Sequence, residues 1–110
     1  MRQYVIDELR VTDYEKIKAW LDENYGEAKI PGIYWIPVSS SLLNDIQLSH
    51  RECQPHYFAI EIESNRLSCE LLIRTPKTLK CSCVAYASKK QRDWIIQFAD
   101  SILEKLGVVF

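Results

Sequence analysis

The sequence predicts an α+β domain: a mostly antiparallel sheet of four to five strands packed by two to three helices, in the order β-α-β-α-β-β-β-α. Three observations carry this. Stretches between Tyr57 and Tyr86 alternate apolar and polar residues, as half-buried strands do. Two segments, one opening at Thr12 and one at Ser88, repeat apolar residues at helical spacing behind capping sequences. Glycine and proline punctuate the intervals between these segments.

Arg2–Asp7 alternates and reads as a strand, with Tyr4 and Ile6 on one side. Thr12-Asp13-Tyr14-Glu15 reads as a capping box, and Tyr14, Ile17, Leu21 and Tyr25 form the stripe of the helix that follows, widened by Trp20 and stopped at Gly26. Ile33–Ile36 lies between Pro31-Gly32 and Pro37 as a short strand, its prolines pointing to a sheet edge. From Ser39 to Cys53 a second helix is expected, with Leu42, Leu43, Ile46, His50 and Cys53 on one face and Pro55 beyond its end.

A three-stranded C-terminal meander follows. Phe58, Ile60 and Ile62 face inward on its first strand, Leu67, Cys69, Leu71 and Ile73 on its second, and Leu79, Cys81, Cys83 and Ala85 on its third. A two-residue turn at Ser64-Asn65 pairs Glu63 with Arg66, Ile62 with Leu67 and Ile60 with Cys69. A turn at Thr75-Pro76-Lys77 pairs Ile73 with Leu79, Leu71 with Cys81 and Cys69 with Cys83. The last helix starts with the capping box Ser88-Lys89-Lys90-Gln91. It presents Trp94, Ile95, Phe98, Ala99, Ile102, Leu103 and Leu106 to the inner sheet face and stops at Gly107. The apolar tail Val108-Val109-Phe110 is expected to pack on the body or on a partner.

The chain has 110 residues, so 1–110 is read as a single domain; 47 % apolar and 26 % charged residues are an ordinary globular balance. A net charge of −1 provides no field to gather nucleic acid or anionic lipid. Met1–Arg10 lacks the pattern of an export signal, and Ile30–Asn44, the longest uncharged stretch, is too broken to span a membrane. The expected location is therefore cytoplasmic, with the four cysteines as free thiols.

Chemistry concentrates at His50-Arg51-Glu52-Cys53-Gln54-Pro55-His56. His50 and Cys53 share a helix face, His56 follows the turn, and the expected register brings Cys81 near. His50, Cys53, His56 and Cys81 are thus a candidate zinc set of two imidazoles and two thiolates. The plainer reading is a buried small thiol with histidines at a helix C-terminus. The same group offers a thiol nucleophile, Cys53 beside His50 or His56, although no oxyanion loop accompanies it. On the outer sheet face, Tyr57, Leu72, Lys80, Val84 and Tyr86 form a semi-apolar candidate binding face. Arg74, Lys77, Lys80, Lys89, Lys90 and Arg92 lie nearby, but Glu61, Glu63 and Glu70 on the same face oppose nucleic acid. No motif assigns a reaction. The leading reading is a small non-enzymatic binding or protein-interaction domain with a protein partner or self-association. The alternative is a zinc-binding or thiol-dependent protein built on the His50–His56 cluster.

Overall fold

The computed structural model describes residues 2–76 and 81–109. In chain order the elements are β1 (Gln3–Ile6), α1 (Val11–Tyr25), β2 (Ile33–Pro37), α2 (Asp45–Ser49), β3 (Tyr57–Glu63), β4 (Arg66–Glu70), β5 (Leu72–Ile73), β6 (Ala85–Tyr86) and α3 (Lys89–Lys105). The strands β1-β4-β3-β2 form an antiparallel sheet in that spatial order, and β5 pairs with β6 in a second, two-stranded sheet. The fold is therefore α+β.

The β3–β4 hairpin has the expected register: Ile60 faces Cys69, Ile62 faces Leu67, and Glu63 faces Arg66, to which it is also ion-paired at 2.9 Å. Period-two alternation makes this register unambiguous, because Phe58, Ile60, Ile62, Leu67 and Cys69 must all reach the same core. The N-terminal strand pairs antiparallel with β4, setting Tyr4 opposite Cys69 and Ile6 opposite Leu67. The prolines around β2 mark an edge, as expected: among the described residues β2 pairs with β3 alone.

The second half of the expected meander is corrected. Among the described residues, strand structure in its third member is limited to Ala85–Tyr86, and Ile73 pairs with Ala85. Cys81 and Cys83 lie in a turn closed by the Val84 N–H donating to the Cys81 carbonyl at 3.0 Å, so the expected pairs Leu71–Cys81 and Cys69–Cys83 do not form. The physical reason is occupancy. The edge of β4 that a meander gives to its third strand is taken by β1 as far as Leu71, whose N–H donates to the Arg2 carbonyl; beyond it Leu72 and Ile73 pair with β6 while Arg74 still bridges Tyr57 of β3. The expected positions Lys77, Leu79 and Lys80 lie outside the described residues, as does Phe110 in the tail.

α1 and α3 cover the inner face, α1 against β2 and β3, α3 against β4. α1 buries Ile17 and Leu21; α3 buries Ile95, Ala99, Ile102 and Leu103. Trp94 stacks between Phe58 and Phe98, with ring centroids 6.1 and 5.2 Å away. α3 starts with the expected box: the Ser88 Oγ accepts the Gln91 N–H, and the Gln91 side chain accepts the Ser88 N–H. Gly107 follows at φ +70°, and Val108 behind it is buried whereas Val109 is exposed. The box expected at Thr12–Glu15 is displaced: α1 is capped from Arg10, whose backbone N–H and guanidinium both donate to the buried Asp13 carboxylate. A carboxylate can answer both donors at once, which a threonine hydroxyl at this position would not.

Each edge strand also sends a tyrosine across to a helix. The Tyr4 hydroxyl of β1 donates to Asp100 of α3 at 2.6 Å, and the Tyr34 hydroxyl of β2 donates to Asp22 of α1. Burial, reinforced by the adjacent carboxylate, pushes the Tyr4 phenol up to about 12 and raises Tyr34 as well. Between α1 and β2, Gly32 stands at φ +82°, where an added Cβ would lie 2.9 Å from the Ile62 carbonyl oxygen, so this approach admits only glycine.

Phe58 is fully buried at the centre of this core. Phe58→Ala is expected to lower the free energy of unfolding by about 3–5 kcal/mol, read as a lower urea midpoint. Tryptophan emission should change as well, because Trp94 loses a stacked ring.

Candidate metal centre

The segment expected as one helix over Ser39–Cys53 is three short pieces: a 3₁₀ turn at Ser40–Leu42, α2, and a second 3₁₀ turn at Arg51–Cys53. Asn44 explains the break, since it caps α2 in its own right. Its side chain accepts the Gln47 N–H at 2.8 Å, and the Gln47 amide oxygen accepts the Asn44 N–H at 3.1 Å. After the five residues of α2, His50 ends it, and its carbonyl accepts the Cys53 N–H at 3.0 Å. The tight turn keeps His50 and Cys53 on one side, as a continuous helix would have done.

Opposite them is the turn before β6. The His50 Nδ1 lies 3.0 Å from the Cys81 Sγ, and the Cys53 Sγ lies 3.7 Å from the same sulfur. Cys83 completes the group: one ligand atom each from His50, Cys53, Cys81 and Cys83 lies within 4.8 Å of every other. A tetrahedral zinc ion with ordinary bond lengths sets its ligand atoms about 3.8 Å apart for two sulfurs and about 3.6 Å apart for sulfur and nitrogen. The group thus spans the size of one coordination sphere and needs only small side-chain rotations to become regular.

Polar contacts hold both halves in place. Gln47, 1 % exposed, donates its amide to the Cys83 carbonyl at 3.3 Å and accepts from Gln91 of α3 at 2.9 Å. Gln91 also donates to the Leu42 carbonyl at 2.8 Å. The Thr75 hydroxyl donates to the Cys53 carbonyl. These side chains fix the backbone on which the ligands sit, which is the task of outer-shell partners in metal sites.

The thiols differ in character. Hydrogen bonds from the Cys83 backbone N–H and thiol, helped by Cys53 and His50, hold the Cys81 thiol well below its ordinary range. Burial pushes Cys83 up, as does its bond to Cys81; burial also raises Cys53. Of these three thiols, Cys81 is thus held the most acidic. A divalent cation would reverse the balance by replacing the shared protons and drawing all three sulfurs to thiolate.

Of the expected ligands His50, Cys53, His56 and Cys81, three are brought together and the fourth place is taken by Cys83. His56 lies outside the group. It has the parity of Phe58 and Ile60, so its ring turns into the core, where it is 1 % exposed and neither ring nitrogen has a hydrogen-bond partner among the described residues. The signal for Cys83 was the spacing itself: His50-x-x-Cys53 and Cys81-x-Cys83 are two short pairs, each able to grip one side of an ion. Alternation hid it by making Cys81 and Cys83 look like inward residues of a strand.

The expected binding face is divided. Leu72 and Tyr86 pair across β5–β6, next to Val84, and the Arg2 guanidinium lies 5.0 Å from the centre of the Tyr86 ring. Tyr57 instead lines a separate groove of about 760 Å³ with Ile33, Trp35, Arg74 and Pro76; Lys80 is outside the described residues. Two of the nearby basic residues are paired, Arg74 with Glu70 at 2.5 Å and Lys89 with Asp93 at 2.9 Å. Comparison of the chain with protein-family models, with curated proteins and with solved structures finds no match.

Burial lowers the His56 pKa below its ordinary value, with the neighbouring His50 contributing in the same direction. The unfolded chain then takes up a proton first as the pH falls. Full stability is expected above about pH 6.5, where both states are neutral, with progressive loss as the pH drops toward the depressed folded value. His56→Leu should flatten this part of the stability profile, measured as the urea midpoint between pH 7.5 and pH 5.

Proposed function

We propose that this chain is a non-enzymatic, zinc-binding domain in which His50, Cys53, Cys81 and Cys83 hold one ion in a structural role. The observation that carries the reading is the convergence of four soft ligand atoms within 4.8 Å. Three thiolates and an imidazole favour zinc among the divalent metals in a tetrahedral site. Four protein ligands close the coordination sphere, whereas a catalytic zinc keeps one position for water or substrate. The ion has a mechanical task to perform. β5 and β6 are two residues each, and a two-stranded ribbon of that length is not stable alone. A metal between the end of α2 and the turn before β6 would tie the β6 side of this ribbon to the main body, as the Tyr57–Arg74 bridge ties the β5 side.

Protein purified under reducing conditions without chelator is expected to carry one zinc per chain in native mass spectrometry. At a free zinc concentration a hundredfold above Kd the ion stabilises the folded state by about 2.7 kcal/mol, so a strong chelator should lower Tm by roughly 10–20 °C. Cys81→Ser and Cys83→Ser should each remove most of the zinc and most of that chelator response. A wild-type chain that is metal-free as purified, takes up no added zinc and melts at the same temperature with and without chelator would overturn the reading.

A second reading rests on a different observation. Trp35 on edge strand β2 is 44 % exposed, packed edge-on against Tyr57 at 6.2 Å, and both border the groove. Large aromatics on an exposed strand suit a protein interface, and self-association is the form this reading takes. Sedimentation velocity over a range of concentrations is expected to show a dimer that Trp35→Glu dissociates. A monomer at every concentration in both proteins rejects it.

A further inference from the structure

We propose that Cys81 and Cys53 form a peroxide-reactive thiol pair, in which Cys81 is oxidised first and Cys53 closes a disulfide with it. The chemistry of the pair stands on its own geometry; the release of zinc that would accompany it rests on the metal reading above. Three features single out these two sulfurs. They are 3.7 Å apart with the Cys53 thiol directed at Cys81, so a disulfide needs an approach of under 2 Å, within the reach of side-chain rotation. Cys81 is the one partly exposed thiol among the four cysteines, whereas Cys53, Cys69 and Cys83 are buried, so a solvent-borne oxidant meets Cys81 first. The His50 ring nitrogen 3.0 Å from the Cys81 sulfur is placed to pass a proton in either direction.

The reaction balances with hydrogen peroxide as the oxidant. The Cys81 sulfur attacks one peroxide oxygen; an S–O bond forms, the O–O bond breaks, and the departing hydroxide becomes water by taking up the thiol proton, or a solvent proton where the sulfur is already a thiolate. The product is a sulfenic acid on Cys81. The Cys53 sulfur then attacks the Cys81 sulfur. An S–S bond forms, the S–O bond breaks, and hydroxide leaves with the Cys53 proton as a second water. Two thiols and one peroxide give one disulfide and two waters, with two electrons passing from sulfur to oxygen. Cys83 is a poor substitute for Cys53, since a bridge between residues two apart strains the link. Once the bond closes, only His50 and Cys83 of the four donors remain, and two ligands do not retain zinc in competition with water. A dithiol reductant reverses the step.

The test uses the full chain as purified, with its zinc content measured first and reductant then removed. One equivalent of hydrogen peroxide is added. Peptide mapping reads the disulfide, and a chromogenic chelator reads released metal. The expected result is a Cys53–Cys81 bond, with one zinc released per bond formed. Cys53→Ser should stop at a sulfenic acid on Cys81 that a dione probe captures, whereas Cys69→Ser should behave as wild type. A Cys53–Cys81 bond in a chain that never held zinc supports the thiol pair and rejects the metal reading alone. A zinc-loaded chain whose peroxide product is bridged elsewhere, or in which Cys69 reacts as fast as Cys81, overturns the inference while leaving the metal reading intact.

Discussion

Much of this molecule follows from the two edges of β4 being filled from opposite directions in the sequence. β3 takes one edge through a tight hairpin, and β1 takes the other from the far N-terminus. A strand has two hydrogen-bonding edges only. Past Leu71 the chain still runs beside β3, where Arg74 bridges Tyr57, while Leu72 and Ile73 pair with β6. The turn that leads into β6 sets Cys81 and Cys83 against the end of α2.

The buried amides of Gln47 and Gln91 show how the two regions are kept in register. Gln47 serves α2 as its capping partner, the Cys83 carbonyl as a donor, and Gln91 as an acceptor. Gln91 in turn belongs to the capping box of α3. Helix starts, normally independent local events, are here joined in one buried network. The backbone around the sulfurs is therefore defined by both helices, and the ligand atoms inherit that definition.

The legible part of the fold was the part governed by short-range pattern. The β3–β4 register and the box at Ser88–Gln91 could be read because two-residue periodicity and a four-residue motif each determine their own geometry. The last helix stop at Gly107 belongs to the same class. What could not be read was competition between segments far apart in sequence. Alternation at Cys81–Cys83 is compatible with a strand, but β1 already holds the edge of β4 that such a strand would take. The cap of α1 failed on a finer point, since Asp13 gathers donors from Arg10 that a threonine-glutamate motif does not involve. For the site, His50, Cys53 and Cys81 were visible as reactive types near one another. Cys83 and His56 exchanged roles because one sits on a turn and the other keeps the inward parity of β3.

The two tyrosine–aspartate bonds have a bearing on how this chain meets copies of itself. Both outer strands of a four-stranded sheet are open to pairing with another molecule, and exchange of such a strand is a common route to tangled dimers and fibres. Here Tyr4 fastens one outer strand to α3 and Tyr34 fastens the other to α1. Neither strand can be handed to a neighbour without breaking a bond to the opposite layer or dragging a helix with it. The sheet keeps its borders by cross-layer fastening rather than by covering them, which leaves the outer surface of β2 open for contacts made side chain to side chain.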